Sequence, residues 1–312
     1  MRGWKKTLAL LCLAWGLAGS AAAQQMILSG NLSSAGSDTM ANLMGLWRDV
    51  FTHAYPNVNV QMQAAGSSSA PTALVAGAVQ LGPMSRPMKE AEIAAFEQRY
   101  GYPPLAVPVA QDALVLLVHQ DNPLRSITFR QLDAVFSRTL RCGAAAPVTR
   151  WSQLGVTAGS WQRRALTLYG RNSASGTYGF FKQQVLCDGD FVNRVNELPG
   201  SSSVVQAVAG SLGGIGYAGM GFRASGVHVL AVGRTGGEPV MPTAENVMAG
   251  KYPLARELYI YVNKAPGKPL SPLTAAFLSS VLSPEGQAAV VKDGYLPLAG
   301  DVVEKVRREL GI

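Results

Sequence analysis

Two long apolar stretches, ALVLLVH at residues 113–119 and ELYIYVNK at 257–264, limit what this chain can become. Both read as buried strands, because short apolar runs rich in β-branched and aromatic residues suit a covered sheet. The residues between them are numerous enough to form a unit of their own. A chain that leaves one unit along the first strand, builds a second unit and returns along the second strand satisfies this pattern. Two consecutive domains would be the simpler alternative. Either way, 312 residues exceed what one hydrophobic core usually holds.

The N-terminus is set apart from the fold. MRGWKK is basic, TLALLCLAWGLAG is apolar but too short to span a bilayer well, and Ala21-Ala22-Ala23 offers small residues for cleavage. Residues 1–23 therefore read as a secretory signal peptide cut near Ala23, which places the mature protein in the periplasm or outside the cell. In that oxidising compartment the two remaining cysteines, Cys142 and Cys187, are expected to form one disulfide, with two buried free thiols as the alternative. The formal charge is +8, and loss of Arg2, Lys5 and Lys6 with the leader lowers it to +5. No long basic block accompanies that charge, so nucleic acid is not an expected partner, whereas a mild positive field favours small anions.

Along the mature chain, strand-like and helix-like segments alternate. ILSGNL (27–32) and NVNVQMQAA (57–65) read as strands. The helix after the first carries Met40, Leu43, Met44, Trp47, Val50 and Phe51 on one face, with Ser37, Asp38 and Thr39 at its start. PLAVPVAQDALVLLVHQDNP is expected to give two strands, the second long and apolar and able to cross between domains, and SPLTAAFLSSVLSPEGQAAVVKDG is helical. The whole is expected to be an α/β protein. Residues 24–115 with 258–312 make the first unit, and residues 116–257 make the second.

One device recurs three times: a strand, a turn of small hydroxylated residues, then a helix. It appears as SAGSDTM (34–40), AAGSSSA (64–70) and RNSASGTYGFF (171–181). A helix start leaves N–H groups unpaired and carries partial positive charge, so it attracts anions. Glycine permits close approach, hydroxyls donate further hydrogen bonds, and Arg171 adds a forked, permanently charged donor. A single such turn is an ordinary helix cap. Three of them, one with an arginine, point to an oxyanion.

The order GSDTM, AAGSSSA, LGPMSRPM, YGRNSASGTYGFF and GGIGYAG resembles the periplasmic phosphate-binding proteins that serve phosphate ABC transporters, over nearly the whole mature chain. The pattern Arg171, Ser175, Gly176, Thr177 carries the resemblance most specifically. It implies a two-lobed periplasmic-binding-protein fold of type II-like form, with phosphate in the cleft between lobes joined by crossover strands. It implies phosphate contacts from Thr39 and the Met40 backbone, from Ser67, and from Arg171, Ser175, Gly176 and Thr177. Ser85 stands where the best-known members carry an aspartate. A carboxylate there would accept the proton that phosphate keeps and sulfate lacks, so Ser85 should discriminate less sharply. Asp38 is the candidate replacement acceptor, or a helix cap. Arg86 either adds charge to the cleft or pairs with an acid outside it. The resemblance further implies inorganic phosphate and a membrane permease as partners, a monomer, and no cofactor. A phosphate-scavenging or surface protein without a permease, or a binder of another tetrahedral oxyanion, is the alternative.

Enzymatic readings find little support. Gly214, Gly216 and Gly219 match a dinucleotide fingerprint by spacing, but a turn and a strand follow where a helix is required. His53, His119 and His228 lie far apart in the sequence, so a serine nucleophile has no evident base. Neither HExxH, CxxC nor a Walker A run occurs, which leaves metal and nucleotide sites without a signature. A phosphatase remains the enzymatic alternative, without an obvious nucleophile or metal.

Overall fold

The computed structural model describes residues 28–312. The expected signal peptide, and residue 27 of the first expected strand, lie outside the described residues. The chain opens with β1 (Gly30–Ala35), α1 (Ala41–Ala54), β2 (Val58–Gln63), α2 (Ser69–Val75), β3 (Gly82–Met84) and α3 (Glu90–Tyr100). Next come β4 (Leu105–His119), β5 (Ser126–Thr128), α4 (Phe129–Phe136), β6 (Thr167–Arg171), α5 (Gly176–Leu186), β7 (Val195–Leu198) and α6 (Ser201–Ala209). The chain then runs through β8 (Gly214–Gly219), β9 (Val227–Val229), β10 (Ala231–Gly233), α7 (Ala244–Met248) and β11 (Ala255–Val262). It ends in α8 (Pro272–Val281), α9 (Pro284–Lys292) and α10 (Gly300–Leu310).

A mixed sheet runs in the order β3-β11-β4-β8-β6-β7, with β9 also on β4. β4 is its spine. At 15 residues it spans about 50 Å at the usual rise per strand residue. Its first part, Leu105–Ala113, pairs antiparallel with β11, and Leu114–Val118 pairs antiparallel with β8. The handover at Ala113/Leu114 joins the terminal segments of the chain to its middle segment. Where two strands were expected in residues 104–123, one continuous strand forms. The polar pair Gln111-Asp112 stays in the sheet because Asp112 is buried against its register partner Arg256. A buried carboxylate is tolerated inside a strand when a cation and hydrogen bonds satisfy it.

Around the terminal half of the sheet, α1 packs on α8 and α9. Phe51 meets Phe277 edge to face at 5.3 Å, and Trp47 Nε1 donates to the Gly286 carbonyl at 2.8 Å. The expected C-terminal helix is divided into α8 and α9, since Ser283 caps a new helix that opens with Pro284. In the middle segment, Phe181 of α5 stacks on Tyr217 of β8 at 4.2 Å and meets Phe136 of α4 edge to face. These aromatic contacts fix the position of α5, whose N-terminus matters below. Its C-terminus is held by the disulfide Cys142–Cys187, in which the Cα atoms lie 5.3 Å apart. GGIGYAG is β8 itself and a buried strand, so the fingerprint glycines serve sheet packing: a Cβ at Gly216 would meet Val204 at 2.8 Å.

Candidate functional site

The N-termini of α1, α2 and α5 converge, and the contacts between them come from distant parts of the sequence. Thr39 Oγ1 lies 2.9 Å from Thr177 Oγ1, and Ser68 N donates to the Ala174 carbonyl at 3.1 Å. Ser67 Oγ accepts from Ser85 N at 3.1 Å and lies 3.4 Å from Ser85 Oγ. Gly176 faces this pair so closely that an added Cβ would meet Ser85 Oγ at 2.5 Å, and Ser67 Oγ nearer still. Gly66, at φ +107°, makes the other close approach, where a Cβ would meet the Ala174 carbonyl oxygen at 2.5 Å. Thr39, Ser67, Ser85, Ser175 and Thr177 are all buried, as is Met40.

Donors dominate this convergence. α1 begins after Met40 and α2 after Ser68, neither with a side-chain cap; Ala41, Ser69 and Ala70 N–H turn instead to the Asp38, Gly66 and Ser67 carbonyls. Ser175 does cap α5, accepting from Thr177 N at 3.1 Å and from Tyr178 N at 3.4 Å, which fixes its hydroxyl at the turn. Tyr295, from the segment after α9, donates to the Thr39 carbonyl at 2.9 Å and holds the first turn in place. Burial, reinforced by nearby carboxylates, pushes the Tyr295 hydroxyl well above the ordinary tyrosine range, so it stays a donor.

Three guanidiniums surround the convergence, and each has a carboxylate. Arg171 Nη2 donates to Asp38 across the two segments and to the Pro199 carbonyl at 2.8 Å. Nε reaches the Leu198 carbonyl at 3.2 Å and Nη1 reaches Ser201 Oγ at 3.0 Å. Of its five N–H donors, these bonds leave one on Nη1. Asp38 is thus not a helix cap: its carboxylate points to Arg171, while its other oxygen, Oδ1, is buried with no hydrogen-bond partner. Arg86 pairs with Glu92 at 2.6 Å and touches Ser68 Oγ at 3.3 Å, so it lies beside the second turn with its charge already matched. Burial raises the Glu92 pKa, but hydrogen bonds from Arg86 and Lys89 N, with both positive charges, outweigh it and hold the carboxyl below the ordinary glutamate range.

The third pair, Arg256–Asp112, has no counterpart among the residues read from the sequence. Arg256 Nε and Nη2 donate to Asp112 Oδ2 at 2.8 and 2.6 Å, and Nη2 also reaches Thr177 Oγ1 at 3.1 Å. Asp112 Oδ1 accepts from Met220 N at 3.0 Å. The sequence signals for it were Asp112, the single carboxylate of β4, and Arg256, which stands beside Glu257 at the start of β11. The histidines stand elsewhere: His53 is exposed on α1, His119 is bonded to Asp121 N, and His228 to Arg125. Among the described residues, no group of three or more His, Cys, Asp or Glu side chains is placed to hold a metal.

Chemically, the arrangement offers a buried cradle of hydroxyl and N–H donors, one unmatched carboxylate oxygen, and walls whose charges cancel pairwise. A small, multiply hydrogen-bonding anion fits that donor set better than a group needing nucleophilic or metal chemistry.

Comparison with known proteins agrees. A family model described as a PBP superfamily domain matches residues 20–285. Phosphate-binding protein PstS of Pseudomonas aeruginosa is 56% identical over 286 residues, covering 91% of this chain and 88% of the relative. Protein SphX of Synechococcus elongatus is 28% identical over 86% of this chain and 77% of the relative. Among solved structures, a substrate-binding protein of Clostridium perfringens with bound phosphate superposes with a TM-score of 0.71. It is 24% identical and covers 86% of this chain and all of that one. An ABC-type phosphate transport receptor of Vibrio cholerae gives 0.67 at 20% identity over 86% of this chain and all of the other. These structural likenesses establish the two-lobed α/β fold, and the sequence matches show that the chain belongs to the PstS family of phosphate-binding proteins within the PBP superfamily.

Proposed function

We propose that this protein captures inorganic phosphate in the cleft between its two lobes and delivers it to the permease of an ABC transporter. The observation that carries the reading is the meeting of three helix N-termini, α1, α2 and α5, around the buried hydroxyls of Thr39, Ser67, Ser85 and Thr177. Residues 24–115 with 258–312 form lobe 1, residues 116–257 form lobe 2, and β4 and β11 cross between them. Phosphate is held from lobe 1 by Thr39, the Met40 backbone, Ser67 and Ser85, and from lobe 2 by Arg171, Ser175, Gly176 and Thr177. Because both sets of donors meet only when the lobes are together, the ligand favours the closed form. The permease then receives a protein whose shape reports occupancy.

Asp38 serves as the acceptor for the ligand's proton. Its Oδ1 is buried and unpartnered, while Arg171 holds the other oxygen. A protonated phosphate satisfies that oxygen, whereas fully ionised sulfate would face it with no proton to give. Ser85, in the position of the expected acid, shares a hydrogen-bonding network with Ser67 instead. The protein is exported, works as a monomer, and binds without catalysing. Isothermal titration of the mature protein with phosphate, sulfate and arsenate tests the reading. Heat with sulfate and none with phosphate overturns it.

A further inference from the structure

Arg256 is bound up with the cleft in a way that its ion pair with Asp112 does not exhaust. The two side chains are 2% and 0% exposed, and they face each other where β4 passes from β11 to β8. Nε and Nη2 are used by Asp112 and Thr177, and the Phe180 ring lies 5.4 Å from Cζ. Nη1 is buried with no hydrogen-bond partner among the described residues. A buried guanidinium nitrogen left unsatisfied is costly, and such groups normally have a partner.

We propose that Arg256 is an anion-binding residue of the cleft, presented from the crossover strands, which gives Nη1 to the ligand oxyanion. This rests on the phosphate reading above and adds to it a residue outside the three hydroxyl turns. Two further features support it. A guanidinium only donates, so Thr177 Oγ1 accepts from Nη2, and its own proton is turned toward Thr39 Oγ1 or the ligand. Arg256 thereby fixes a cleft hydroxyl as a donor to an anion. Asp112, moreover, has both oxygens already hydrogen-bonded, by Arg256 and by Met220 N, so unlike Asp38 it presents no unpartnered oxygen to the ligand's proton. Arg171 has one N–H to spare, which makes a second cation useful to a ligand of more than one negative charge.

The test compares two charge-neutral deletions of buried pairs. In one, R256M is combined with D112N, so that no carboxylate is left unpaired; in the other, R86M is combined with E92Q. Phosphate affinity is measured by titration calorimetry, and thermal melting is followed without ligand. R256M/D112N is expected to melt cooperatively and to bind phosphate at least about tenfold more weakly, the effect of losing a charge-assisted hydrogen bond. R86M/E92Q should stay within about threefold of wild type, because both Nη groups of Arg86 are already engaged by Glu92, the Pro87 carbonyl and Ser68 Oγ. R256K keeps the charge but not the fork, and should fall between wild type and the double variant. Equal losses in the two double variants, or wild-type binding in R256M/D112N, would overturn the proposal in favour of a purely structural clamp. A wild-type protein silent toward phosphate would instead sink the phosphate reading, and the same series run with sulfate would still decide Arg256.

Discussion

Replacing Gly176 with alanine separates folding from closure. Gly176 opens α5, where alanine is favoured intrinsically, and its backbone needs no left-handed conformation. The unliganded protein should therefore melt at or slightly above the wild-type temperature, since trimming unfolded-state freedom contributes about 0.4–1 kcal/mol. Binding should move the other way. In the closed arrangement the new methyl would lie 2.5 Å from Ser85 Oγ, 2.9 Å from Ser67 Cβ and closer still to Ser67 Oγ, with turn backbone behind both serines. Relieving such overpacking typically costs about 1–3 kcal/mol. Charged against the closed form alone, that penalty weakens phosphate binding about 5- to 150-fold. Gly179→Ala is the control: one turn along the same helix, its Cβ would meet Arg86 Cδ, part of a long side chain, at 3.2 Å. Titration calorimetry and melting of wild type, G176A and G179A complete the comparison. If G176A bound phosphate within about twofold of wild type, Gly176 would not line a closing cleft, since even the smallest overpacking cost exceeds that effect.

Four further outcomes follow from the same geometry. Arg171→Ala leaves Asp38 charged and unmatched, a loss of about 3–5 kcal/mol for a broken buried pair, so calorimetry should find phosphate binding reduced more than about a hundredfold. Asp38→Asn replaces the unmatched acceptor with an amide that can donate, and competition titrations should show the preference for phosphate over sulfate narrowing by about tenfold or more. Reducing the Cys142–Cys187 bridge, which closes a loop of sequence separation 45, should cost about 4 kcal/mol on the chain-entropy model and lower the melting temperature; an unchanged melt would remove it as a staple of α5. Glu92 has a folded pKa below its unfolded one, so its contribution is complete above the ordinary glutamate range and fades as pH falls through the folded value. E92Q should flatten that acid limb in melts recorded across pH 3–6 (roughly the span around an ordinary carboxylate pKa), and an unaltered limb would contradict the pairing.

The hydroxyl turns were legible in the sequence because their chemistry is local. A strand, a glycine, two or three hydroxyls and a helix start announce an anion cradle within ten residues, and Thr39, Ser67 and Thr177 do converge. The cysteine pair was legible by count and compartment. Arg256 and Asp112 were not, because their meaning exists only across the sheet: each is a charge inside an otherwise largely apolar strand. Register alone brings them opposite each other, and register between strands separated by a whole lobe cannot be read from either strand. Arg86 shows the same limit in a milder form. Its partner Glu92 lies only six residues away, yet sequence left open whether its charge faced the cleft or an acid, and the fold of α3 decided for the acid.

The most direct test of the account is a titration of the mature protein with phosphate, repeated with sulfate under the same conditions. The structure predicts a saturable heat at one phosphate per chain and little or none with sulfate, because Asp38 Oδ1 has room for a proton that only phosphate brings. Absence of phosphate binding, or sulfate bound as tightly as phosphate, would contradict it.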